Sequence, residues 1–362
     1  VLFFLISIKL IYFYLNIKEI INLSPYAFNE LFINYQAGFI RRGLLGEIFW
    51  NLNTFLEIKP ILFFSYLFLF FYLMQIYFFH KIFEKYKHST FIYLLIFLSP
   101  ALILFSIYEI NMFFIKDIFI KLTILFHGLV VINNIEKKKN YSDYIKKLKF
   151  IIIPILFLVI LVHEYQVLFL SIHVLLSLSF MSNREKSLQI LSIYLLLIIP
   201  ILLVLIFIGD QNQFDILNKV LQKFEVDLHP QLNGGFYKAL GGFYKWHFYY
   251  FGYKDFIQLL SSLFLSIGVF FLIFHFFIRE KILKFHNKYQ KNYVYFFAPT
   301  LFCFILAIDH GRNISLLAIH LVVFYSILII DLKKLSTIKD KINKNFLLSS
   351  FLIIFLIFYI FM

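Results

Sequence analysis

The stretch FIIIPILFLVILVHEYQVLFLSIHVLLSLSFM at residues 150–181 decides the fold. As one continuous helix it would run roughly 48 Å, at about 1.5 Å per residue. That is well beyond an apolar membrane core of about 30 Å. Its one strongly polar pair, His163-Glu164, falls at the centre. Two short helices meeting at that pair remove the excess length, so the stretch predicts a broken or re-entrant hairpin with His163-Glu164 at its tip.

Working outward, apolar runs long enough to cross a bilayer recur at residues 1–17, 61–79, 91–108, 188–209, 256–278, 293–308, 314–330 and 346–362. The first of these lacks a small-residue cleavage site and reads as a retained span. Residues 118–132 join them, because Lys121 can snorkel or pair with Asp117 one helical turn earlier. With the hairpin counted as two, an all-α polytopic transmembrane bundle of about eleven segments is expected, forming one integral membrane domain over residues 1–362. Composition agrees: 62% of residues are hydrophobic and 15% charged, with mean hydropathy +0.85, which leaves no soluble domain to account for.

The formal charge of +14 does not imply nucleic acid, since the lysines sit in short loops between apolar runs and form no basic face. Topology explains them. The loops at 80–90, 136–149, 182–187, 279–292 and 332–345 hold 21 of the 34 Lys and Arg residues. All five share one side only if residues 150–181 cross twice or re-enter. Lys and Arg in short loops favour the cytoplasm, so the N-terminus is placed inside, in a cytoplasmic (inner) membrane. The outer side then receives two long segments, 18–60 and 210–255, each expected to carry short interfacial helices. It also receives the tips at 109–117, 163–164 and 309–313. Cys303 is the sole cysteine, which excludes a disulfide framework and a cysteine metal site, and no cofactor is called for.

Candidate chemistry collects on this outer side. In the first long segment, Gly38-Phe39-Ile40-Arg41-Arg42-Gly43-Leu44-Leu45-Gly46-Glu47 places two guanidinium forks between glycines, ahead of an amphipathic run at 44–56. Such forks bind phosphate or carboxylate bidentately, so Arg41 and Arg42 read as an anion clamp. The competing reading is a basic turn anchoring an interfacial helix among membrane lipids. At 309–313, Asp309, His310 and Arg312 share one tight turn, either as a site or as an Asp309–Arg312 pair that closes the turn. His163 and Glu164 are ionisable groups at a helix break. Burial would raise the Glu164 pKa toward that of a general base, and interhelical polar bonding is the alternative. The pair lacks a second histidine at metal-ligand spacing, so no metal is expected. Glu109 and Lys116 bracket another outer turn, while Asp117 is explained by helix capping. The tandem Gly-Gly-Phe-Tyr-Lys at 234–238 and 241–245 reads as an interfacial aromatic belt or a sugar-stacking loop. His127, His173 and His320 read as satisfied core histidines.

The many-span plan with two long outer segments and outer arginines resembles the bacterial O-antigen polymerases and, more loosely, the multi-spanning C-type glycosyltransferases. The motif Gly-Phe-Ile-Arg-Arg-Gly-Leu-Leu-Gly-Glu, with the later Lys-Asp, His-Glu and Asp-His-Gly-Arg sites, also resembles uncharacterised membrane proteins of bacterial envelope polysaccharide loci. The resemblance implies glycosyl transfer from a polyprenyl-pyrophosphate-linked sugar. Arg41, Arg42, Arg312, His310, Lys116 and Glu109 would bind substrate, and Glu164, His163 or Asp309 would handle its proton. A transporter or flippase for an anionic or lipid-linked substrate, and a non-catalytic envelope assembly protein, are the rival readings.

Overall fold

A computed structural model describes residues 15–16, 25–84, 113–136, 141–178, 184–224 and 310–333. Among these, every regular element is helical. In chain order they are α1 (Pro25–Asn29), α2 (Leu44–Leu56), α3 (Pro60–Glu84), α4 (Asp117–Glu136), α5 (Tyr141–Lys147), α6 (Ile153–Val162), α7 (Leu170–Leu178), α8 (Arg184–Tyr194), α9 (Ile198–Ile206), α10 (Gln211–Leu221) and α11 (His310–Lys333). Three stretches are long and apolar enough to cross a membrane: Pro60–Ile82, Asp117–Glu136 and Ser187–Ile206. They match the runs expected at 61–79, 118–132 and 188–209, and α11 covers the run at 314–330. The other expected spans and the aromatic repeat lie outside the described residues.

The helix break is where the sequence placed it. α6 stops at Val162, His163 is extended at φ −154° and ψ 105°, and a 3-10 segment, Glu164–Phe169, leads into α7. The first arm begins earlier than expected. Part of the basic loop at 136–149 is helical, as α5 runs through a π turn at Leu148–Ile152 directly into α6. Pro154 supplies the reason. It has no N–H to donate and its ring crowds the carbonyl a turn earlier, and a widened turn ahead of it absorbs both faults.

α4 is the axis of the bundle. It packs against α3 and α11, and more narrowly against α6 and α7. It is buried on nearly all sides, whereas α3 exposes Leu62, Tyr66, Phe70, Leu73 and Tyr77 at three- and four-residue spacing. That spacing is a lipid-facing stripe. Around Ile198–Ile206 the exposed residues are likewise apolar. Two contacts set the direction of α11. His320 stacks on Phe169, and Gly128 of α4 lies against Val323. On α4 and α7, Thr123 meets Gln166 and His127 meets His173. The order along all three helices is the same, so α4, α7 and α11 run parallel. Arg312 precedes Val323 by the offset that separates Asp117 from Gly128, so it begins at the level of Asp117.

Residues 25–56 fold back over this end. Phe28 and Phe32 make edge-on contacts with Phe64, Phe114 and Phe49 at ring-centroid separations of 5.0–6.2 Å, a favourable aromatic arrangement. α2 occupies the expected amphipathic run, with Leu45, Gly46 and Phe49 inward and Ile48, Leu52, Phe55 and Leu56 exposed. A second surface helix, α10, opens the other long segment behind a reciprocal capping box between Asp210 and Gln213.

Gly46 tests the fold-back. A Cβ there would lie 2.1 Å from the Ile33 carbonyl oxygen and 2.7 Å from its carbon, both backbone atoms. Gly46→Ala should therefore cost on the order of 1–3 kcal/mol, read as a lower Tm in detergent. At Gly128 the obstacle is the Val323 side chain. Val323→Ala should therefore recover part of the loss caused by Gly128→Ala, and no partner substitution should rescue Gly46→Ala.

Candidate functional site

Three chain segments bring seven ionisable side chains to one end of the bundle. The segment ahead of α2 supplies Glu30, Arg41 and Arg42, the start of α4 supplies Lys116 and Asp117, and the helix break supplies His163 and Glu164. Arg42 is the hub. Its Nε donates to both Glu164 carboxylate oxygens at 2.8 and 2.7 Å, its Nη2 donates to Glu164 Oε1, and its Nη1 donates to Glu30 Oε1 at 2.7 Å. Arg42 has φ 67°, a left-handed conformation that a non-glycine residue adopts at a cost. Gly43 permits the turn beside it, since a Cβ there would lie 2.4 Å from the Tyr35 ring. Arg41 approaches the same carboxylate. Its N–H donates to the Phe207 carbonyl at 2.9 Å, just past α9, and its guanidinium lies 3.9 Å from Glu164.

Lys116 lies beneath the hub. It is 1% exposed, and its Nζ donates to the backbone carbonyls of Glu30 and Arg42, each at 3.1 Å. The lysine thus holds the strained turn from below. Burial pushes its pKa down to about 8 against the pull of Glu30. The carboxylates move oppositely. Burial alone would raise Glu30, but Arg42, Lys116 and His163 outweigh it and leave its pKa lowered. At the hairpin tip burial likewise works to raise Glu164, and Arg42 with His163 overrides it, holding the group well below the usual carboxylate range. The raised Glu164 pKa expected from sequence is therefore corrected: a bidentate guanidinium stabilises the charged form by more than desolvation penalises it.

Beside this pair, His163 Nε2 lies 3.0 Å from Asp117 Oδ1. Nδ1 is buried, 3.7 Å from Glu164 Oε2, and makes no hydrogen bond among the described residues. The imidazole thus stands between the Asp117 and Glu164 carboxylates.

Of the residues singled out from sequence, Arg41, Arg42, Lys116, His163 and Glu164 meet here. The structure adds two that sequence reasoning passed over. Glu30 had no local pattern to mark it, and Asp117 was explained by capping, whereas its carboxylate receives His163. The tip at 309–313 is corrected as well: His310 and Arg312 stand in the first turn of α11 instead of a tight loop, at this same end of the bundle. Asp309 and Glu109 lie outside the described residues. Glu47 has a structural task, accepting from the Tyr35 N–H at 2.9 Å and from the Gln36 amide. No cluster of metal-ligating side chains occurs among the described residues. Comparison with protein-family models, curated proteins and solved structures finds no match to this chain.

Arg42→Ala removes the bidentate partner of Glu164 and the nearest cation to Glu30, both largely buried, so a loss approaching about 3 kcal/mol is expected, seen as a large fall in Tm. Arg42→Lys should rescue only part of it, because an ammonium cannot reproduce the fork. Lys116 gives a pH test. Its folded pKa, near 8, is below the free value of 10.5. Between these values the unfolded chain binds the proton that the folded chain releases, so this group's contribution to stability rises with pH across that window. The Tm of the wild type relative to Lys116→Met should increase from pH 8 to pH 10, and a constant difference would exclude the shift.

Proposed function

We propose that this chain is a membrane glycosyltransferase that uses a polyprenyl-pyrophosphate-linked sugar at the outer face of a bacterial inner membrane. The proposed frame is a bundle of about eleven segments with its N-terminus inside. The observation that carries the reading is the convergence of Arg41, Arg42, Lys116, His163 and Glu164 at one end of apolar helices. Neighbouring arginines in the turn ahead of a surface helix suit a phosphate whose carrier lies in the bilayer. Arg41 is bonded to Phe207, which is exposed beside the apolar end of α9.

Each side chain then has a task. The pyrophosphate takes the place of Glu164 on the Arg42 fork, with Arg41 beside it, and these cations stabilise the charge developing on the departing phosphate. His163 Nδ1 accepts the proton of the acceptor hydroxyl as that oxygen bonds to the sugar carbon, while Asp117 keeps the imidazole oriented. Glu164 acts as a latch that keeps Arg42 ordered and neutralised until substrate arrives. Arg41, Arg42 and Arg312 do not carry a glycine at the eleven-residue offset of the polymerase arginine motif, so the reading rests on the chemistry of the cluster.

The test is extension of a lipid-linked oligosaccharide by the purified full chain in detergent, where transport between compartments cannot contribute. Product is expected from the wild type. Arg41→Ala should reduce kcat/KM by on the order of a hundredfold, the effect of removing one stabilising donor. His163→Gln should lower kcat more than it changes KM. No extension under any donor and acceptor supplied, with stable protein, would sink the reading.

A further inference from the structure

α9 turns an apolar edge away from the bundle. Ile198, Ile199, Leu202, Leu205 and Ile206 are all exposed among the described residues, at the spacing of one helix face. Of the three membrane-crossing stretches, the one that ends in α9 is the least covered by protein. The edge continues past the helix end. Phe207 and Ile208, also exposed, carry it to Gly209, where a φ of 91° turns the chain away into α10.

Three contacts hold the arginine turn against that end. The Arg41 N–H donates to the Phe207 carbonyl at 2.9 Å, and the Phe39 ring meets the Phe207 ring edge-on with centroids 5.2 Å apart. From α10, Gln213 Nε2 donates to the Ala37 carbonyl at 3.2 Å. The distance from the guanidinium pair to the apolar edge is therefore fixed before any ligand arrives, which lowers the ordering cost for a ligand that spans both. The lipid-facing stripe of α3 begins differently, behind Glu57-Ile58-Lys59, where an acid and a lysine offer no paired fork.

We propose that this edge, from Phe207 down to Ile198, seats the first isoprenoid units of a polyprenyl chain whose pyrophosphate lies on Arg41 and Arg42. The proposal rests on the reading of the arginine turn as a pyrophosphate clamp, and adds where the carrier lies and what tells it from bulk lipid. Phospholipid would also cover an apolar edge, but charge separates the two. A phospholipid phosphodiester brings one negative charge to the turn, whereas a pyrophosphate ester brings at least two, matching the adjacent guanidinium forks. From Ile206 to Ile198 the edge runs roughly 12 Å, at about 1.5 Å per residue. The pyrophosphate is thus held at the end of the bundle while its carrier stays against hydrocarbon.

The test measures binding of farnesyl pyrophosphate and of inorganic pyrophosphate to the purified full chain in detergent by isothermal titration calorimetry. Farnesyl pyrophosphate should bind about tenfold more tightly, the worth of roughly two buried methylene groups. Phe207→Ala keeps the carbonyl that holds Arg41, so at wild-type Tm it should weaken farnesyl pyrophosphate about tenfold and leave inorganic pyrophosphate unchanged. Leu202→Ala, lower on the edge, should act in the same sense by a smaller factor. Phe70→Ala, on the lipid-facing stripe of α3, should change neither. With inorganic pyrophosphate still bound, three results would overturn the proposal and leave the clamp standing: equal affinity for the two ligands, equal effects of Phe207→Ala and Phe70→Ala, or displacement of farnesyl pyrophosphate by excess phosphatidylglycerol. Binding of neither ligand to stable protein would overturn both.

Discussion

One guanidinium ties together two distant parts of the chain. Arg42 reaches from the turn ahead of α2 to Glu164 at the helix break, while its remaining arm holds Glu30. Inside a protein such contacts are decided by desolvation as much as by attraction, and removing one partner leaves the others exposed to that cost. The left-handed Arg42 backbone and the buried Lys116 that props it are parts of the same arrangement. The pairing thus links the fold-back of the segment ahead of α2 to the helix break that carries His163.

The bundle beneath follows from what surrounds each helix. α3 and the helices over Ser187–Ile206 present Leu, Ile, Phe and Tyr outward and need only lipid as a neighbour. α4 is surrounded by protein and is the span that carries Asp117, Lys121, Thr123, His127 and Asn134. Polar side chains on a span are tolerated where other helices cover them, so the order of layers follows from composition: apolar helices outside, the polar-bearing helix in the middle.

Much of this was readable from the residues. The length of the run at 150–181 demanded a break, and His163-Glu164 was the one place to put it. The amphipathic run at 44–56 and the glycines around Arg41-Arg42 gave the outer helix and its tight entry. Pairwise identity within the site was less legible. Glu30 looked isolated because its partner is twelve residues away across a turn, and Asp117 looked like a helix cap because capping explains an aspartate at that position without any tertiary contact. The protonation state of Glu164 was misread for a related reason. Burial can be anticipated from a helix break, whereas the arginine that reverses its effect lies 122 residues earlier in the chain. The π turn ahead of Pro154 was also hidden, since a proline announces a defect but not how the backbone absorbs it.

The shared direction of α4, α7 and α11 has an electrostatic result. Aligned peptide units leave about half a positive charge at each helix N-terminus, and here the starts of α4 and α11 and the 3-10 lead into α7 all lie at the end where Glu30, Asp117 and Glu164 gather. The backbone itself therefore adds a positive potential to the three basic side chains. That potential acts in the same direction as the basic side chains that hold Glu30 and Glu164 below the usual carboxylate range.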